Sequence, residues 1–361
     1  MQYSEGYLLD NRYQLERFVG SGSFGEVWVA KDQATDLEVA AKIYIAMDEK
    51  GLEEFKKEFQ LSFELNHTNL LHANYLGVNA EDRRPYLVMP YCPDGSVSQY
   101  AGNMSEDDIW RFIHDVAAGL AYLHAQNPPI IHQDIKPDNI LILKNGDYVI
   151  TDFGISKQLR QSLRKSAMSL NSAGAISYMG PERFSKNFQA VKASDIWSLG
   201  AAIFELVTGD VPFCGMGGSL QKQGAEMPEL PDSYSERLNL VCTSCMAKET
   251  WNRPTAAQLR DYAAQVLDGR DAEITWKLDS SVSGKKQETQ GNAAARSGGS
   301  VASGTGAADE PAGVANPLTA PADSGFIADA PEPEKKISWW VPVCIIALGA
   351  ALGVAIGLLI F

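Results

Sequence analysis

Apolar positions recur densely from Tyr13 to Leu267, and their period changes along the way. Tyr13–Val19 and Val27–Ala30 alternate between apolar and polar residues, which predicts two strands. Gly20, Gly22 and Gly25 lie between them and mark a turn. Val39-Ala40-Ala41-Lys42 is a third strand-like run, ending on a basic residue. Glu53 to Leu65 predicts a helix whose apolar side carries Phe55, Phe59, Leu61 and Leu65. Past Gly269 the pattern stops. Gly, Ala, Ser, Pro and scattered charges fill the stretch to Glu334, and Ser297–Gly306 and Pro311–Asp323 hold too little apolar surface to offset the entropy of ordering them. As a flexible coil of about 65 residues this segment would span about 40–50 Å. The pattern then reverses: Trp339–Phe361 runs 23 residues without a charge. At helical rise that is about 34 Å, enough to cross a hydrocarbon core, whereas a buried core helix would need a partner domain after it. The expected division is an N-terminal extension (1–12), a folded domain (13–268), a low-complexity linker (269–337) and a transmembrane helix (338–361).

Composition narrows the function classes. The formal net charge of −14 supplies no basic stripe for phosphate backbones, so nucleic acid is not an expected partner. The apolar share is ordinary for a globular chain and allows a sizeable core. Five scattered cysteines do not resemble a secreted disulfide framework and fit a reducing compartment. The first ten residues are polar and lack an apolar core of signal-peptide length, so an export signal is not expected. Lys335 and Lys336 precede the apolar run and Trp339 and Trp340 open it, so the folded domain is expected on the cytoplasmic side. Gly349, Gly353 and Gly357 repeat on one face of the span, with Ala347, Ala351 and Ala355 at the same spacing, a pattern that favours a homodimer through close helix contact. With the run ending at Phe361, an external sensing domain is not expected.

Three constellations carry chemistry. Gly20-Ser21-Gly22-Ser23-Phe24-Gly25 precedes Val27-Trp28-Val29, so the loop joins two strands, whereas a dinucleotide fingerprint would open a helix. Such a loop can fold over nucleotide phosphates through its backbone N–H groups. Lys42, in a mostly buried strand, is costly unless phosphates and a helical carboxylate pair it, and Glu58 in the following helix is the candidate; without Lys42, Glu58 reads as a solvated surface carboxylate. His132-Gln133-Asp134-Ile135-Lys136-Pro137-Asp138-Asn139, followed by Asp152-Phe153-Gly154, supplies an Asp base, a Lys for phosphate charge, and an Asn and a second Asp for metal, the parts phosphoryl transfer needs.

In order and spacing, these motifs over Tyr13–Leu267 resemble the eukaryotic-type protein kinase family. The resemblance implies an α+β, bilobal fold with a small β-rich lobe and a larger helical lobe. It implies that Lys42 holds the α- and β-phosphates of ATP and pairs with Glu58, that Asp134 orients and deprotonates the substrate hydroxyl, and that Lys136 offsets charge on the transferred group. Asn139 and Asp152 would ligate Mg²⁺, with Mn²⁺ as an alternative. Val27, Ala40 and Leu141 would sandwich the adenine, Met89 would close the back of its pocket, and the connector Pro90-Tyr91-Cys92 would offer backbone bonds to the base. Glu182 would pair with Arg253, Asp195 would cap backbone donors of the catalytic loop, and His132 would be a scaffolding residue. Cys242 and Cys245 show half a zinc spacing with no second pair and read as core residues. His72, His114 and His124 lack mutually supporting carboxylates or ligand spacing.

Lys136 is typical of serine/threonine kinases, so the implied activity is transfer of the ATP γ-phosphate to protein Ser and Thr hydroxyls, autophosphorylation included. The whole plan is similar to bacterial membrane serine/threonine kinases, with the inner or plasma membrane as location. Two positions depart from the family pattern. Ala175 stands where a Thr would bond the catalytic Asp and Lys. Gln133 stands where an Arg would hold a phosphorylated activation segment, which implies activity without that phosphorylation, although Ser162, Ser166, Ser169 and Ser172 are present there. The rival reading is a pseudokinase, an ATP-binding membrane scaffold.

Overall fold

The computed structural model describes residues 3–22, 25–153 and 176–278. Its first half is a six-stranded antiparallel sheet in the order β1-β2-β3-β4-β6-β5. The strands are β1 (Leu8–Leu9), β2 (Tyr13–Gly22), β3 (Gly25–Asp32), β4 (Glu38–Tyr44), β5 (Tyr75–Val78) and β6 (Pro85–Pro90). Helix α1 (Glu49–Phe63) packs on this sheet, with the Phe55 ring edge-on to Tyr44 at 4.7 Å. The second half is mainly helical: α2 (Glu106–Ala125), a hairpin of β7 (Ile140–Ile142) and β8 (Tyr148–Ile150), then α3 (Lys192–Thr208), α4 (Gly218–Lys222), α5 (Glu236–Cys245) and α6 (Ala256–Leu267). Each half buries its own apolar cluster, so the α+β, two-lobed expectation holds.

The alternating pattern sets the sheet. Trp28 and Ala30 of β3 point to the same buried cluster as Ala41 and Ile43 of β4. In the large lobe α3 is buried along most of its length around Trp197, Leu199 and Ile203, and α2 lies against α6 through Trp110 and Tyr262. Local chemistry starts the helices: Ser105 caps α2 by accepting from the Asp108 N–H, and Thr255 and Gln258 form a reciprocal capping box on α6. Cys242 and Cys245 are fully buried in the large-lobe core, which raises both thiol pKa values. They are packing residues.

Three boundaries differ from the expectations. The helix begins at Glu49 and ends at Phe63, before Leu65, whose side chain belongs to the large-lobe core. The segment that follows α1 crosses to that lobe: Leu71 N–H donates to Ile150 O at 2.9 Å, and Ile150 N–H donates to Asn69 O at 2.9 Å. The extension 1–12 is not separate from the domain. Leu9 and Tyr3 are buried in the small-lobe core, and β1 pairs with the start of β2. At the other end, Ala272, Ile274 and Trp276 pack on the large lobe, with Trp276 edge-on to Tyr262 at 5.3 Å, so the fold continues about ten residues into the expected linker. Among the described residues no helix is long and apolar enough to cross a membrane. The expected linker beyond Leu278, the expected span and its glycines lie outside the described residues.

Candidate active site

The expected phosphate loop is the turn between β2 and β3, where Gly22 pairs with Gly25. Gly25 is obligatory. Its φ is +149°, and a Cβ there would sit 2.0 Å from Ile43 O. A Cβ at Gly20 or Gly22 would meet nothing within 4 Å among the described residues. The room they leave is what close approach of a phosphate to the backbone needs. Ser23 and Phe24 at the tip lie outside the described residues.

Lys42 lies in β4 opposite Val27 on one side and Leu87 on the other. Its ammonium bonds Asp152 Oδ1, a contact that joins the small lobe to the large one, and it lies 5.5 Å from the Tyr44 ring centroid. The expected partner was Glu58. That residue is in α1, but its side chain lies outside the described residues; the carboxylate described at Lys42 is Asp152.

The catalytic loop is held from three sides. Asp195, fully buried in the first turn of α3, accepts from His132 N–H at 2.9 Å and Gln133 N–H at 2.7 Å, and its Oδ2 is 2.9 Å from His124 Nε2. This is the backbone-capping geometry expected of Asp195. The His132 ring continues the chain of support. Its Nε2–H faces Thr151 O at 3.0 Å, so Nδ1 is left to accept from Asp134 N–H at 3.3 Å. Arg183 Nη1 donates to Gln133 O at 2.8 Å, and Gln133 takes a left-handed φ of 67°. Asp134 is thereby fixed next to the turn Pro137–Asn139, whose preceding residue is Lys136.

Asn139 spends both amide protons on Asp134, donating to its O at 2.7 Å and its Oδ2 at 3.1 Å. Its Oδ1 is therefore the atom left to face a cation. Asn139 O accepts from Thr151 N–H at 3.0 Å, which ties the loop to the residue before Asp152. Asp152 itself has a left-handed φ of 63°, and the buried Phe153 ring meets His72 edge-on at 6.1 Å. The donor set offered by Asn139 and Asp152 is all oxygen, which suits a hard divalent cation. Among the described residues no group of three or more His, Cys, Asp or Glu is arranged to hold a metal.

Of the residues expected around the adenine, Ala40, Met89, Tyr91, Cys92 and Leu141 come together, and Val27 is not in their cluster. Ala40, Leu71, Met89, Cys92 and Val149 form a separate buried cluster at the seam of the lobes, with Tyr91 and Leu141 packed against it. Burial raises the Cys92 thiol pKa. Val27, two residues past Gly25, is half-buried on β3 beside Lys42. Arg17 Nη2 donates to Tyr91 Oη at 2.5 Å, so β2 also touches the connector.

Beneath this site, Arg253 donates to both oxygens of Glu182, at 3.0 and 2.8 Å, and to the carbonyls of Ala247, Ala193 and Lys248. Burial pushes the Glu182 pKa up, but Arg253 outweighs it and the net shift is downward. Two histidines correct the sequence reading: His124 bonds Asp195, and His114 Nδ1 lies 2.9 Å from Asp115 Oδ1. Arg183 was also missed. His124 and Asp195 are 71 positions apart, and no spacing rule reveals such a pair. The segment 154–175, with Ala175 and the four serines, lies outside the described residues.

The protein kinase domain pattern matches residues 13–263 of this chain. The serine/threonine-protein kinase PrkC of Bacillus subtilis is 31% identical over 280 residues, covering 74% of this chain and 42% of that protein. Dst1 of Dictyostelium discoideum, also named a serine/threonine-protein kinase, is 33% identical over 69% of this chain and 34% of its own length. The serine/threonine-protein kinase PknA of Mycobacterium tuberculosis is 33% identical over 59% of this chain and 50% of its own. The chain thus spans half or less of the length of these relatives. With the two lobes, the phosphate loop and the Asp134–Asn139–Asp152 arrangement, these matches establish that the chain belongs to the protein kinase family.

Proposed function

We propose that this protein is a serine/threonine protein kinase, transferring the γ-phosphate of ATP to Ser and Thr hydroxyls of proteins, its own among them, while anchored in a membrane by residues 338–361. The observation that carries the reading is the Lys42–Asp152 contact between the lobes, one residue from the Thr151–Asn139 bond that secures Asp134. In this reading Lys42 and the backbone of the Gly20–Gly25 loop orient the ATP phosphates. The seam formed by Ala40, Met89, Cys92 and Leu141 takes the adenine, and Tyr91 and Cys92 offer it backbone bonds. Asp134 orients the acceptor hydroxyl and takes its proton, and Lys136 offsets charge on the phosphoryl group. Asn139 Oδ1 and the Asp152 carboxylate would hold Mg²⁺ or Mn²⁺. Bound there, the ion supplies charge neutralisation on the phosphates.

The membrane part rests on the uncharged run Trp339–Phe361 and the basic pair before it, which support a single C-terminal span with the kinase domain on the cytoplasmic side, in an inner or plasma membrane. Gly349, Gly353 and Gly357 support pairing of two such spans. One experiment tests both parts. Membranes from cells making the full chain are expected to transfer label from ATP to serine and threonine of a generic acceptor protein. Recovery of the chain in the soluble fraction would refute the anchor. Nucleotide binding without transfer would favour a scaffold.

Neutral Gln133 in the catalytic loop supports regulation that does not depend on a phosphorylated activation segment. Phosphatase-treated and autophosphorylated protein should have turnover rates within about twofold of each other. A rise of about tenfold or more on autophosphorylation sinks this part.

A further inference from the structure

We propose that Arg84 is a positioning residue for the phosphate loop and that Tyr3, from the segment ahead of β1, holds it in place; this rests on the kinase reading above. Arg84 ends the β5–β6 turn, and its side chain is 14% exposed. Its guanidinium makes three contacts. Nε donates to Tyr44 O at 2.6 Å, Nη2 to Ile43 O at 3.4 Å, and Nη1 to Glu26 Oε1 at 2.9 Å. Ile43 and Tyr44 directly follow Lys42, and Glu26 directly follows Gly25. One side chain therefore ties the end of the lysine strand to the strand that leaves the phosphate loop. The join is made where Gly25 presses on Ile43 O.

The remaining contacts close the network. Glu26 Oε2 accepts from Trp28 Nε1 at 3.0 Å, and Trp28 meets Phe18 of β2 edge-on at 5.2 Å, so both strands of the loop are engaged. The Tyr3 ring covers the guanidinium at 5.0 Å. Its hydroxyl donates to Asp82 Oδ2 at 2.9 Å and accepts from Asn79 Nδ2 at 2.9 Å, while Asp82 Oδ1 accepts from Arg84 N–H at 3.1 Å. Tyr3 and Asn79 are both buried. A lysine cannot replace this arrangement, because bonds to two carbonyls and a carboxylate need the planar fork of arginine.

A purely structural pair would lower stability and leave the affinity of folded molecules for ATP alone. The two roles separate in steady-state kinetics of the full chain, together with direct titration by a fluorescent ATP analogue. Arg84→Ala should raise the KM for ATP and the analogue Kd about five- to twentyfold, the range expected from loss of one to two net polar contacts. The KM for the acceptor protein should stay within about twofold, because the acceptor meets the other lobe. Arg84→Lys should recover only part of the loss, and Tyr3→Ala and Glu26→Ala should move ATP affinity in the same direction by a smaller factor. If Arg84→Ala does not fold, Tyr3→Ala and Glu26→Ala decide. Folded variants with unchanged ATP affinity, or a lower melting temperature with unchanged KM for ATP, overturn the proposal alone. A wild-type chain that binds no nucleotide overturns the kinase reading and this proposal together.

Discussion

Asp134→Asn is expected to lower kcat for phosphate transfer by about 10²–10⁴-fold while nucleotide affinity stays within about twofold of wild type. On the proposed reading the substitution removes the proton acceptor and keeps the shape. Asp134 N–H still meets His132 Nδ1, and its backbone O still accepts from Asn139, so the loop keeps the bonds that position it. ATP should be held mainly by Lys42, the phosphate loop and the lobe seam, none of which contains residue 134. The measurement is single-turnover transfer from labelled ATP beside a binding titration. Transfer that survives at more than about a tenth of the wild-type rate would show that residue 134 is not the base, or that the signal comes from a contaminant. Equal loss of binding and turnover would point instead to collapse of the loop.

Breaking the Glu182–Arg253 pair should give the largest loss of stability. Arg253 has no exposed side-chain surface, and its removal strands a partly buried carboxylate together with the carbonyls of Ala247, Ala193 and Lys248. Arg253→Met is expected to cost about 3–5 kcal/mol and to lower the melting temperature by roughly 10 °C. Glu182→Gln should cost less, about 1–3 kcal/mol, because an amide oxygen still accepts and Arg253 keeps its carbonyl partners. The pH dependence has a definite sign. The folded-state pKa of Glu182 is lowered from 4.5, so the pair contributes fully above the ordinary carboxylate range and loses its contribution as pH falls below it. The gap in melting temperature between wild type and Arg253→Met should therefore narrow on acidification below about pH 4.5. An Arg253→Met protein that melts within about 2 °C of wild type at neutral pH would rule out this account.

Local pattern was a good guide where local forces decide the structure. The β2–β3 turn was legible because alternation and glycine spacing act within ten residues. The large-lobe supports, Asp195 and the Glu182–Arg253 pair, were legible only through the family resemblance, since their partners lie 62–71 positions away. The packing of residues 3–12 was hidden for the same reason. Tyr3 and Tyr7 stand among polar neighbours, and what orders them is Asn79, Glu81 and Asp82, more than 70 positions later. Trp276 likewise sits past the last helix in a stretch whose composition already reads as linker, and its place is set by the large-lobe cluster, Tyr262 included, across the surface. His124 shows the limit of motif reasoning. It lies on a helix with no carboxylate at helical spacing, yet it completes the shell around Asp195.

That shell has a kinetic consequence. Two backbone N–H groups of the catalytic loop and one imidazole converge on a single carboxylate that belongs to helix α3. The loop that carries Asp134 is therefore an outgrowth of the helical core in mechanical terms, and its conformational entropy is surrendered when the large lobe folds. On the proposed kinase reading, ordering it again is not part of each encounter with substrate, so the barrier to transfer would contain little reorganisation of the loop, and binding energy from ATP and acceptor would remain available for aligning the phosphoryl group with the hydroxyl.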